Sequence, residues 1–148
     1  EGLRTNGAAF VDGNAVVRDR VAAGACLVGL TDTDDVLISI ARGDPVRMII
    51  PDQEPGGSGT LLIPNTVAVV AGAPHSREAA MLADFLASAE VEAMLAAGES
   101  KQISARRGGP IPAGLPALDL LRPLPVSLAS IALAIPSATA LLRDRFMR

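Results

Sequence analysis

The chain has 148 residues, 13 basic and 16 acidic side chains and a formal net charge of −3. A globule of that mass can bury roughly two-thirds of its unfolded surface, enough for one domain and hardly for two, and the mildly acidic balance excludes a binder of phosphate backbones. Three phenylalanines are the only aromatic residues, so the core must be aliphatic and base-stacking platforms are excluded.

Asn14 is placed to cap a helix over residues 15–23, and Gly24 follows where a helix end favours a left-handed residue. Ala25 to Leu30 is a short apolar run of the kind that forms a strand buried on both faces. A second helix is predicted from about Asp34 to Ala41, closed by Arg42-Gly43, and Val46 to Ile50 reads as another strand. Helix, strand, helix, strand is the pattern of a parallel α/β layer. Pro51 to Gly59, with Pro51, Pro55, Gly56, Gly57 and Gly59, reads as a flexible connector. Thr60 to Ile63 and Thr66 to Val70 are expected as two strand pieces divided by Pro64.

Ser76 is placed to cap a helix from Arg77 to about Leu86, and Ser88 to cap another from Glu90 to Ala97, closed by Gly98. Residues 106–116 are too rich in glycine and proline for regular structure, and Pro123, Pro125 and Pro136 punctuate the tail. A last helix is expected from Ser137 to about Met147, with Leu141, Leu142 and Phe146 on one face. The longest apolar stretch, Leu124 to Ile135, is interrupted and falls short of the ~20 residues of a membrane span.

The sharpest chemical feature is Asp32-Thr33-Asp34-Asp35, three carboxylates in four residues after an apolar run. In open α/β sheets ligands bind beyond the carboxyl ends of strands. Close carboxylates repel unless a cation or strong hydrogen bonds are shared between them, and hard cations choose such oxygen ligands. The plainer alternative is that Asp32 or Thr33 caps the helix and the other two decorate its first turn. Lone Cys26 excludes an intrachain disulfide and a CxxC site and reads as a small buried hydrophobe. His75 reads as an exposed or capping residue, without partners for a zinc site. Gly56-Gly57-Ser58-Gly59 lacks the GK[ST] ending of a phosphate loop, and Ser58 has no recognisable catalytic partners.

Four stretches recur in a telling order: Gly13-Asn14-Ala15-Val16-Val17, Val28-Gly29-Leu30-Thr31-Asp32-Thr33-Asp34-Asp35, Ile50-Pro51-Asp52-Gln53, and Gly59 to Thr66. With Ala73-Pro74-His75 and the helix pair through Glu92, the chain resembles the C-terminal half of bacterial ABC-transporter extracellular solute-binding proteins. The likeness is to the ferric-iron-binding branch of family 1, over about residues 3–107. It implies an α/β fold, the type II periplasmic-binding-protein architecture of two lobes, incomplete here because a preceding half with its signal peptide is absent. Residues 1–55 would belong to the second lobe, 56–72 to a linker and crossover strand, and 73–148 to a helical part packed on the first lobe.

In iron-binding members of that family a pair of adjacent tyrosines follows the strand, and Asp34 and Asp35 stand in their place. This sequence has no tyrosine, so phenolate ligation is excluded. The resemblance leaves carboxylate ligation of Fe(III) or another hard cation by Asp34 and Asp35, or a different solute held by hydrogen bonds. Asp32, Thr33 and Asn14 would line the same cleft. It further implies a non-enzymatic, periplasmic or extracytoplasmic component that delivers solute to an ABC permease and needs no cofactor. Two alternatives stand beside it: a Mg-dependent phosphoryl-transfer or hydrolytic enzyme built on Asp32, Asp34 and Asp35, and a piece without binding activity of its own. Exposed apolar lobe surfaces would favour a homodimer or strand exchange.

Overall fold

A computed structural model describes residues 2–146. Its elements are α1 (Gly2–Thr5), α2 (Asn14–Ala22), α3 (Thr33–Ala41), α4 (Ser76–Leu86), α5 (Ala89–Ala97), a short 3-10 turn at Leu118–Leu120, and α6 (Leu128–Phe146). Among the described residues there is no β-sheet; the only bridge is a parallel one between Thr60 and Pro123. The expected α/β, type II binding-protein architecture is therefore wrong for this chain, which is helical with long irregular connections.

Each anticipated helix forms, for reasons that lie in its ends. α2 stops because Gly24 takes φ 72°, letting its N–H reach Val21 O at 2.9 Å and the next amide, of Ala25, reach Arg20 O at 2.9 Å. α3 stops the same way at Gly43, and the buried Ser39 hydroxyl donates to Asp44 Oδ2 at 2.5 Å just beyond it. Ser88 caps α5 as expected, its hydroxyl accepting from the Val91 amide at 3.3 Å. Two other caps shift by one residue. Gly13 and His75 hold the N-cap positions of α2 and α4, so Asn14 and Ser76 are the first helical residues.

The four expected strands do not form. Residues 28–32, 47–50 and 61–69 take no regular secondary structure, and their N–H and C=O groups make no backbone–backbone hydrogen bond. Their apolar side chains face water: Leu27 is 97 % exposed, Leu30 81 %, Ile63 78 % and Val70 77 %. Apolar β-branched runs favour extended backbone, but a strand exists only where another strand supplies the ladder. None of these segments forms a ladder with another among the described residues. Cys26, read as a buried hydrophobe, is only half-buried.

Packing is correspondingly thin. α2 lies on α3 and α4 on α5, and the buried apolar side chains are Leu37, Ala96 and Leu115. Leu37 of α3 is covered by the turn at 112–115, where Gly114 holds φ +91° with its Cα hydrogen facing Leu37 Cδ2. The accessible surface is 11130 Å², whereas a well-packed globule of this mass exposes about 7,000 Å².

Two polar clasps hold the C-terminal half. Glu92 of α5 accepts from Ser104 Oγ at 3.0 Å and the Ala105 amide at 3.1 Å, and pairs with Arg106 Nε at 3.0 Å. Arg106 also donates to Ala87 O at the negative end of α4, at 2.5 Å. The second clasp corrects the flexible connector expected over residues 51–59. Gln53 mimics a strand partner: its side-chain amide accepts from the Arg122 N–H at 2.8 Å and donates to Arg122 O at 3.1 Å. Arg122 in turn donates to Gly57 O at 3.2 Å. The Gly-rich stretch is therefore a fastened turn.

The last helix is longer than expected and starts at Leu128, not after Ser137. Ser127 caps it, accepting from the Ser130 amide at 3.0 Å, and Pro136 lies inside it. Its far end is tied down by Phe146 against Phe10, ring centroids 4.0 Å apart. No described helix is long and apolar enough to cross a membrane.

Candidate functional site

The acidic cluster sits where the first turns of α2 and α3 meet. Gly29 sets the distance: a Cβ there would lie 2.4 Å from Val17 Cγ1 and 2.9 Å from Val21 Cγ2. Only glycine lets the 27–32 segment lie this close to α2, and it leads Asp32 directly to the start of α3. Asp32 holds the N-cap position in extended backbone (φ −88°, ψ 169°), but its side chain makes no capping hydrogen bond. It turns instead toward α2, where Asn14 Nδ2 donates to Asp32 Oδ2. Thr31 Oγ1 donates to Asn14 O at 3.3 Å from the same side.

Arg18, one turn beyond Asn14 on α2, spans the other edge. Its Nη1 donates to Asp35 Oδ1 at 2.7 Å and its Nε to Asp19 Oδ1 at 2.8 Å. The guanidinium is sheltered, with side-chain exposure of 11 % against 15 % for Asp35. The hydrogen bond with Asp19 holds Arg18 above its usual range and Asp19 below its own.

The three carboxylates do not titrate alike. Burial pushes Asp34 and Asp35 up, and the hydrogen bond each makes with Asp32, together with its negative charge, pushes them further. Burial would raise Asp32 as well, but the hydrogen bonds it receives from Asp34, Asn14 and Asp35 outweigh that and bring it down. Asp32 is thus the readiest of the three to ionise, and Asp34 and Asp35 hold their protons to higher pH than an isolated carboxyl.

Four of the five expected site residues, Asn14, Asp32, Asp34 and Asp35, are brought together here. Thr33 opens α3 half-buried beside them with no side-chain hydrogen bond. Arg18 and Thr31 were not anticipated from the sequence, although Arg18 follows Asn14 by four residues and so shares its helix face. Asp52 lies away from this cluster's sequence neighbours, in the turn fastened by Arg122, its backbone O accepting from the Gly59 amide at 3.2 Å. His75 is exposed at the start of α4.

Among the described residues, no three His, Cys, Asp or Glu side chains are arranged to hold a metal ion as they stand. What the cluster presents is a set of hydrogen-bond acceptors, one of which already takes a guanidinium. No family model matches the chain, and neither the curated proteins nor the solved structures yield a match.

Proposed function

We propose that the chain is a non-enzymatic solute-binding component serving an ABC importer outside the cytoplasm, and that its solute is a small cation taken up by Asp32, Asp34 and Asp35. The observation that carries this reading is the gathering of three carboxylates where α2 meets α3, with Arg18 already paired to Asp35 as a cation would be. A cation bound there favours the ionised form of all three carboxylates. Resemblance of the residue pattern around Asn14 and Asp32 supports the transport role. Fe(III) or another hard cation requires Asp34 and Asp35 to turn toward a common centre. An ammonium or guanidinium solute needs no such turn, because hydrogen-bonded carboxylates accept from it in their present places.

Calorimetric titration of La(III) and, separately, of agmatine into the protein at pH 6 tests the reading. Saturable binding of one of them is expected, weakened at least tenfold in Asp34→Asn and Asp35→Asn. Arg18→Gln is expected to tighten binding, since it removes a competing positive charge from Asp35. Affinities unchanged by all three substitutions would overturn the assignment.

A further inference from the structure

We propose that residues 112–124 act as a strap that closes over α3 as one unit, with Gln53 as its catch, and that its closure holds α3 and the carboxylates of its first turn in place. This positioning is independent of which solute the cluster takes. At one end of the strap Leu115 is buried, and the turn at 112–115 covers Leu37, the buried apolar side chain of α3. Leu37 and Leu115 are two of the three buried aliphatic side chains among the described residues, the third being Ala96. This small contact is therefore much of the core. α3 has only nine residues, and isolated helices shorter than ~12–15 residues are marginal in water. It persists through what packs on it, with α2 on one side and the strap on Leu37. Leu37 follows Asp34 by one helical turn, so what steadies the one steadies the other.

At its other end the strap is fastened by hydrogen bonds. Gln53 holds both the N–H and the C=O of Arg122, at 2.8 and 3.1 Å. The Thr60 amide donates to Arg122 O at 3.0 Å, and the Leu124 amide to Thr60 O at 2.8 Å. Gly59 lets the two stretches meet, since a Cβ there would lie 2.5 Å from Pro123 O. The Gln53–Arg122 bonds are open to water, where each contributes modestly because solvent competes for both partners. Between the two ends the strap is braced by its own backbone, Leu120 N–H to Ala117 O at 3.1 Å and Leu121 N–H to Leu118 O at 3.2 Å. Leu115 is seven residues from Arg122, and so short a tether makes fastening at Arg122 raise the effective concentration of Leu115 at α3. A segment held by a few exposed hydrogen bonds and little buried apolar surface opens locally, well below the cost of global unfolding.

Native-state hydrogen exchange of the full chain, without added solute, tests the strap from both ends. Gln53→Ala removes the catch. Exchange is expected to quicken at least about fivefold, the effect of losing one ordinary hydrogen bond, at the amides of Thr60 and Leu124 and also at those of Leu115 and Leu37. Amides in the middle of α5 are expected to keep their rates. Gly114→Ala disturbs the opposite end, because φ +91° disfavours alanine and its Cβ would lie 3.3 Å from Leu37 Cδ2. It is expected to quicken exchange at Thr60 and Leu124, which lie at the catch and not at the substituted turn. In both variants the carboxyl titration of Asp34, followed by NMR, is expected to move down toward the ordinary carboxylate range as α3 loosens. Acceleration confined to the substituted end would overturn the single unit, and equal acceleration in α5 would mean that the whole molecule opens instead. An Asp34 titration that neither variant moves would overturn the positioning of the cluster by the strap.

Discussion

Asp34 carries opposing demands. Its place in the first turn of α3 favours the ionised form through the helix dipole, while burial and the neighbouring Asp32 favour the protonated form and prevail. A carboxyl whose folded-state pKa lies above its unfolded value adds stability that is complete below the unfolded pKa and is lost as pH rises through the folded one. Asp34→Asn removes that titration. Its stability relative to wild type should therefore increase as pH rises from the ordinary carboxylate range through the raised pKa of Asp34, and level off above it. The change should be about 0.2–1 kcal/mol, the size of a half-exposed charge interaction. Urea midpoints of both proteins measured at stepwise pH check this, and parallel curves would contradict the raised pKa of Asp34. Gly29 gives a second residue-scale prediction. Gly29→Val drives side-chain atoms into Val17 and Val21, so it should separate the 27–32 segment from α2 and cost about 1–3 kcal/mol, the range for overpacking. The Asp34 titration should then return toward the ordinary carboxylate value, which carboxyl NMR reads directly.

At the scale of elements, α6 invites a direct test of its cap and its proline. Ser127→Ala removes the acceptor for the Ser130 amide, and should cost about 0.5–2 kcal/mol of local helix stability. Pro136→Ala restores the amide that proline lacks in mid-helix and should strengthen α6 by about 3 kcal/mol. Hydrogen exchange at Ser130 and Ile131 should be faster in the first variant and slower in the second. The same helix shows where the sequence could be read and where it misled. α2, α3, α4 and α5 were legible because a helix satisfies its own backbone, so caps such as Ser88 and stops such as Gly24 decide its limits locally. Pro136 followed by Ser137 imitates a helix start, and the true cap at Ser127 was hidden behind Pro125 and an apolar run. The strands failed for a different reason. Ala25 to Leu30 and Thr66 to Val70 carry strand propensity, but among the described residues no other segment supplies the ladder a strand needs, and no local pattern records that. At the site, proximity in sequence brought Asp32, Asp34 and Asp35 together. Arg18 required knowing that α2 lies against α3, which hydropathy alone does not reveal.

For the molecule as a whole, the surface decides the energetics. An unfolded chain of this mass exposes about 22,000 Å², and the folded single chain still exposes 11130 Å². Folding therefore buries about three-quarters of what a well-packed globule of the same mass buries. Denaturant sensitivity follows the surface newly exposed on unfolding, and so does the heat-capacity change. Both should be about three-quarters of the values for a compact domain of this length. Urea unfolding of the wild-type chain checks this: an m-value already that of a compact domain of 148 residues would mean that Leu27, Leu30, Ile63 and Val70 find cover in solution that the single chain's fold does not give them.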